Sequence, residues 1–332
     1  MTTAMVVVAA VLSIAGCGGG GHSSDTVTHA FGPSPQPDGL VAANTISYRS
    51  PGDGGRVSGL VAIPRAVSSR GCAIWQNGLG ATKETTAQAW PALASLGLST
   101  LSIDLRFRGA PVVTTTQQQQ VIGEPDALAQ FIRGAVADLR GAVAYLGRQP
   151  YCRGHVVYVG VGMSGIVGTI LAATDRNVEA AVLISTPGTW QALLTTPGEP
   201  ILAGIARDPT QLAAALRILS PLDPARFIGR IAPRPVMISN ALQDESVVVS
   251  PSDARRLESA AHRPKTISTT EGAATGTTSV AGEAIASFLL HNVVEPTFGI
   301  SANANGTFAS PSTRVGGPRV GSTRRPRPAR KG

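Results

Sequence analysis

Residues 156–167 read VVYVGVGMSGIV, and this stretch decides the fold. Val156, Val157, Tyr158 and Val159 are β-prone. They run into a glycine-dense turn, and an apolar run from Ile166 to Thr174 follows with helical character. A strand, a sharp turn and a helix, with Ser164 at the apex, is the arrangement of a nucleophile elbow. The same letters, Gly160-x-Gly162-x-x-Gly165, also satisfy a dinucleotide fingerprint. That fingerprint belongs in a first βα unit whose next strand ends in an acid. Here the turn is mid-chain and the next strand ends Ile184-Ser185-Thr186, with no acid. The elbow reading is therefore preferred.

Upstream, residues 45–49 and 58–63 read as two strands joined by Pro51-Gly52-Asp53-Gly54-Gly55, a hairpin. Residues 72–76 form a third strand ending in Asn77-Gly78-Leu79-Gly80. A helix over 86–96 and a strand over 99–104 come next, and 110–123 reads as an irregular surface loop. Leu128, Ile132, Val136, Leu139, Val143 and Leu146 recur at spacings of three and four, the mark of an amphipathic helix on a sheet. Downstream, 180–185, 235–239 and 265–270 are strands. A helix begins at Ser250-Pro251-Ser252-Asp253, and the last one covers 280–290. Strands alternating with helices predict an α/β fold with a mainly parallel sheet of about eight strands, covered on both faces.

The chain has 332 residues and a net charge of +8. Seven of its positive charges (Arg314, Arg319, Arg324, Arg325, Arg327, Arg330 and Lys331) follow Glu295, the last acid. The body is nearly neutral, which argues against a nucleic-acid-binding surface. The tail, 296–332, reads as a disordered basic extension suited to anionic lipid or cell-wall phosphate. No Cys–His set at metal spacing is present, and neither a metal nor another cofactor is expected.

An apolar run, 5–14, is too short to span a bilayer and ends in Ile14-Ala15-Gly16-Cys17. It resembles a bacterial lipoprotein signal with its lipobox, although 1–4 lacks the usual basic residue. The resemblance implies a signal peptide over 1–16 and a lipid anchor on Cys17 at the extracytoplasmic face of the membrane. A Gly/Ser/Pro-rich tether, 17–40, then leads to a folded domain over 41–295, with a small cap-like insertion at 186–231. Cys72 and Cys152 are the remaining cysteines. Two buried thiols and a disulfide both fit the residues.

The order of elements resembles the α/β-hydrolase fold, within the broad dienelactone hydrolase and esterase group. The resemblance rests on Asn77-Gly78-Leu79 at the oxyanion loop, Asp104-Leu105-Arg106-x-x-Gly109, the elbow, and Gln243-Asp244-Glu245-Ser246. It implies Ser164 as nucleophile, Asp244 as the triad acid with Glu245 as its near alternative, and Leu79 and Gly165 as oxyanion donors. Its strand order places the strands beginning near Cys72 and Val156 side by side, which implies a Cys72–Cys152 disulfide. Two positions depart from the pattern. Ile166 stands where Gly-x-Ser-x-Gly has its second glycine. The loop after the last strand, Glu271-Gly272-Ala273-Ala274-Thr275, has Thr275 where the catalytic histidine belongs. His155 and His262 precede strands and are expected at the opposite sheet edge. His291 ends the last helix, and His22 and His29 are in the tether. A serine without a base is a weak nucleophile. The expectation is a serine carboxylester hydrolase with impaired or lost activity, or a non-catalytic protein holding a small acyl ester or apolar ligand.

Overall fold

The computed structural model describes residues 39–295, apart from 153, 196–204, 206, 242–248 and 271–273. Cys17, Asp244, Glu245, most of the tether and the basic tail lie outside the described residues.

Eight strands form one sheet in the order β1-β2-β4-β3-β7-β8-β9-β10. They are β1 Val41–Arg49, β2 Arg56–Pro64, β3 Gly71–Gln76, β4 Leu98–Ile103, β7 Val156–Val161, β8 Val178–Ile184, β9 Val236–Ala241 and β10 Lys265–Thr270. The pairs β1–β2 and β2–β4 are antiparallel, and every other pair is parallel. The first two strands close around the predicted hairpin turn, where Gly54 takes φ +68°. Asp53 Oδ1 accepts the Gly55 N–H at 2.9 Å in the same turn.

Strands β3 and β4 are buried along their whole length, as expected for parallel strands covered on both faces. Strand alternation divides their side chains between two apolar layers. Tyr158 of β7 faces a layer built with the long helix α3 (Pro125–Gly147) and the elbow helix α4 (Met163–Thr174). Val157 and Val159 face the other layer, with Leu93 of α1 (Trp90–Ser95) and Ile285 and Phe288 of α9 (Ala274–Leu289).

Residues 110–123 depart from the predicted loop. A short hairpin, β5 Arg106–Phe107 and β6 Ala110–Pro111, is followed by helix α2, Thr115–Ile122. Thr114 and Gln117 form a capping box that starts α2, so the glutamine run is helical for a local reason. The predicted helix over 86–96 is a 3-10 turn, Lys83–Ala89, that continues into α1.

The insertion contributes α5 Trp190–Thr195, α6 Pro209–Leu219 and α7 Pro224–Phe227. Trp190, Leu219 and Ile228 join the α3–α4 layer rather than forming a separate core. Its start is pinned by buried Asp253 of α8 (Pro251–Ala260), which accepts the Gly188 N–H at 2.6 Å and the Thr189 hydroxyl at 2.9 Å. Asp223 accepts the Trp190 N–H at 2.8 Å, and burial raises its pKa.

Cys72 and Cys152 are disulfide-bonded, with Cα atoms 4.9 Å apart. Cys72 pairs in register with Val156, so strand adjacency brings the two cysteines together.

Candidate functional site

The site is built at the carboxyl ends of the parallel strands. β7 ends at Val161, and α4 begins at Met163. The single residue between them, Gly162, has φ +56° and ψ −118°. Only glycine reaches this conformation without strain. In a nucleophile elbow the attacking residue occupies this sharp strand-to-helix turn. The apex is therefore Gly162, not Ser164, and the local pattern is Gly160-x-Gly162-x-Ser164. Ile166 lies further along the helix and is not the crowded position expected from sequence. Close helix packing is provided instead by Gly165, where a Cβ would clash with Thr186.

Ser164 sits inside the first turn of α4 and is fully buried. Its hydroxyl donates to the Asn77 carbonyl at 2.6 Å. Its own carbonyl accepts the Tyr158 hydroxyl at 2.7 Å. Ser164 thus ties the 77–80 loop to the elbow helix, a structural use of the group expected to attack.

Of the expected oxyanion donors, Gly165 is already engaged, because its N–H donates to the Gly162 carbonyl at 2.9 Å. With the apex at Gly162, the corresponding N–H is that of Met163, the first residue of the helix. Leu79 lies in the expected loop, partly buried and packed on the α3–α4 layer. The loop is held firmly. Asn77 Oδ1 accepts the Trp75 indole N–H at 2.9 Å, and its Nδ2 donates to Thr85 Oγ1 at 2.8 Å. Asp104 accepts the Lys83 N–H at 2.9 Å and the Lys83 ammonium at 2.6 Å. Burial works to lower the Lys83 pKa, but its hydrogen bonds to Asp104 and Glu84 outweigh burial and raise it. Gln118 of α2 lies directly against Gly80, where a Cβ would clash with its amide.

The far end of α4 is anchored as well. The Arg234 guanidinium donates to the carbonyls of Ala172, Asp175 and Val178 at 2.6–2.9 Å. A cation here complements the negative end of the helix dipole.

None of the three described histidines stands at the elbow. His155 precedes β7, at the opposite end of the sheet, and its Nδ1 lies 2.7 Å from Glu179. His262 precedes β10, and His291 bonds back to the Ser287 carbonyl in the last helical turn. Thr275 falls within α9.

Two neighbours of the elbow carry no signal in the sequence. Ser185 follows β8 in the left-handed region, at φ +44°, and its N–H donates to the Ser239 carbonyl at 2.8 Å. Such strain in a non-glycine residue concentrates at functional sites. Asn240, at the end of β9, accepts the Thr186 N–H at 3.2 Å. Its Nδ2 is buried without a hydrogen-bond partner among the described residues.

No family model matches the chain. It is 31% identical over 121 residues to a carboxymethylenebutenolidase from a Pseudomonas species, a match covering 31% of this chain and 50% of that protein. The chain thus spans about half the length of the curated relative it matches. Solved structures agree in fold at low identity. An acetyl xylan esterase from Paenibacillus sp. R4 superposes with a TM-score of 0.63 at 16% identity, covering 77% of this chain and 85% of that one. A 2,6-dihydroxy-pseudo-oxynicotine hydrolase gives 0.57 at 17% identity, covering 76% and 69%. An acylaminoacyl peptidase of Pyrococcus horikoshii gives 0.59 at 11% identity, covering 77% and 42%. The chain has the α/β-hydrolase fold.

Proposed function

We infer that this chain is a hydrolase-fold protein that holds an acyl-type or apolar ligand at the elbow without turning it over. One observation carries the reading: the apex of the turn is Gly162, which has no side chain to attack with. The nearest serine, Ser164, is buried and donates its proton to a carbonyl. A hydroxyl needs a base to become an effective nucleophile, and the three described histidines lie elsewhere. What the elbow retains is the positive end of a twelve-residue helix, suited to an acyl carbonyl or a carboxylate. Similarity to a carboxymethylenebutenolidase and the fold of esterases support descent from hydrolases.

We further propose, from the resemblance of residues 5–17 to a lipoprotein signal, that the protein sits on the extracytoplasmic face of a membrane. Cys17 would carry the lipid, and the basic tail would contact anionic lipid or cell-wall phosphate. The Cys72–Cys152 disulfide suits an oxidising compartment. The test is hydrolysis of short-chain aryl esters by the wild type and by Ser164→Ala. Background rates in both are expected. Turnover by the wild type that disappears in the variant would restore Ser164 as the nucleophile of an impaired carboxylester hydrolase.

A further inference from the structure

A concavity lies between the β5–β6 hairpin and the α2–α3 junction, and none of its lining residues belongs to the elbow. Its volume is about 730 Å³, and Phe107, Arg108, Gln117, Gln120, Glu124 and Asp126 are among its lining residues. We propose that this groove is a saccharide-binding site.

The argument rests on how its polar groups are used. Gln117 Oε1 accepts the N–H groups of Val113 and Thr114 at 3.0 Å each and the Thr114 hydroxyl at 3.1 Å. These bonds fix the amide plane and leave its NH2 group as an oriented donor. Glu124 stands at the N-cap of α3 but makes no capping bond with its side chain. Among the described residues, no ion pair joins Glu124 or Asp126 to Arg108, although all three line the groove. The Arg108 guanidinium lies over the Phe107 ring instead, 4.9 Å from its centroid. Arg108 itself sits at φ +51° in the hairpin turn, followed by Gly109 at +82°. A type I′ turn favours Asn or Gly at that first position, so arginine is held there at some cost.

The groove therefore presents carboxylate acceptors, amides of both polarities and one cation beside apolar surface. Vicinal hydroxyls both donate and accept, and the C–H faces of a sugar ring suit the exposed apolar surface of Ala110 and Pro111. The other ligand classes fit less well. Two carboxylates against one cation repel phosphates and nucleic acid. Among the described residues, no group of three His, Cys, Asp or Glu side chains is placed to hold a metal ion. An apolar ligand would strand the six polar side chains of the lining without water.

The experiment titrates the protein with maltotriose, xylotriose and chitotriose, and separately with a tri-lysine peptide, by calorimetry and by amide chemical shifts. At least one trisaccharide is expected to bind and to shift amides of 106–127. Glu124→Ala/Asp126→Ala should weaken that binding about tenfold or more, the usual cost of losing hydrogen bonds to charged acceptors. Gln120→Ala, which leaves the α3 N-terminus untouched, should weaken it in the same direction. Both carboxylates are exposed, so the fold is expected to survive. Failure of all three sugars to bind, unchanged sugar affinity in both variants, or binding of the lysine peptide alone would overturn the assignment. None of these readouts depends on chemistry at Gly162.

Discussion

Ser164→Ala separates the two uses the chain could make of its elbow serine. The Ser164 hydroxyl is fully buried and donates to the Asn77 carbonyl at 2.6 Å. Removing it forfeits a hydrogen bond and leaves that carbonyl short of a partner, which costs about 1–3 kcal/mol. Alanine recovers about 0.5 kcal/mol of helix propensity over serine. The net loss should be about 0.5–2.5 kcal/mol. In a domain of this size each kcal/mol moves Tm by about 2–4 °C, so the midpoint should fall by roughly 1–10 °C. Ester hydrolysis should not change. An attacking serine behaves in the opposite way, since its loss typically costs ~10⁶ in turnover and its side chain need not support the fold. The assay pairs thermal melting with initial rates on p-nitrophenyl acetate. Loss of wild-type turnover by ~10³ or more with an unchanged Tm would refute the reasoning, because it would require a free and reactive hydroxyl.

Other outcomes follow from groups away from the elbow. Arg106 is nearly buried and forms two bonds with the buried carboxylate of Asp138, at 2.6 and 3.0 Å, so Arg106→Met leaves that charge unpaired. It should cost about 3–5 kcal/mol in urea unfolding, and Arg106→Met/Asp138→Leu should recover much of this; a single-variant loss under ~1 kcal/mol would contradict the pairing. The disulfide spans a sequence separation of 80. Reduction in denaturant and refolding with reductant present should cost about 4–5 kcal/mol and lower Tm by about 10 °C, whereas equal melts would speak against the bond. A hydrogen bond from Arg106 holds the Asp53 carboxyl below its usual pKa. Its contribution is present above the unfolded-state pKa and lost as pH falls through the lower folded-state value. The Tm gap between wild type and Asp53→Asn should therefore close on acidification below the ordinary carboxylate range, and a gap independent of pH would contradict the pairing.

The legible parts of the sequence were those governed by local rules. β10 occupies the predicted 265–270, because a six-residue β-prone run bounded by proline and glycine has few alternatives. Ser250 caps α8 as its position before Pro251 suggests, accepting the Asp253 N–H at 3.2 Å. The helix at 115–122 was also written locally, as Thr114-x-x-Gln117, but the polar glutamine run obscured it. The disulfide was of another kind. Spacing left two thiols and a bridge equally open, and only the adjacency of β3 and β7 joins them.

The glycine-rich stretch at 156–167 shows where the division falls. Its letters determined a strand, a tight turn and a helix, and the order of elements around it carried the resemblance to the α/β-hydrolase fold. They did not determine which residue turns, because Gly160, Gly162, Ser164 and Gly165 are all small enough to stand in a sharp bend. That choice belongs to the tertiary structure. Pairing of β7 with β8 carries the strand through Val161, and the Gly162 N–H still donates to the Ile184 carbonyl at 2.9 Å. Packing of α4 against Tyr158 and Thr186 sets where the helix begins. Between those constraints one residue remains to take the positive φ, and it is Gly162. Ser164 is left two positions inside the helix, where its hydroxyl holds a loop in place.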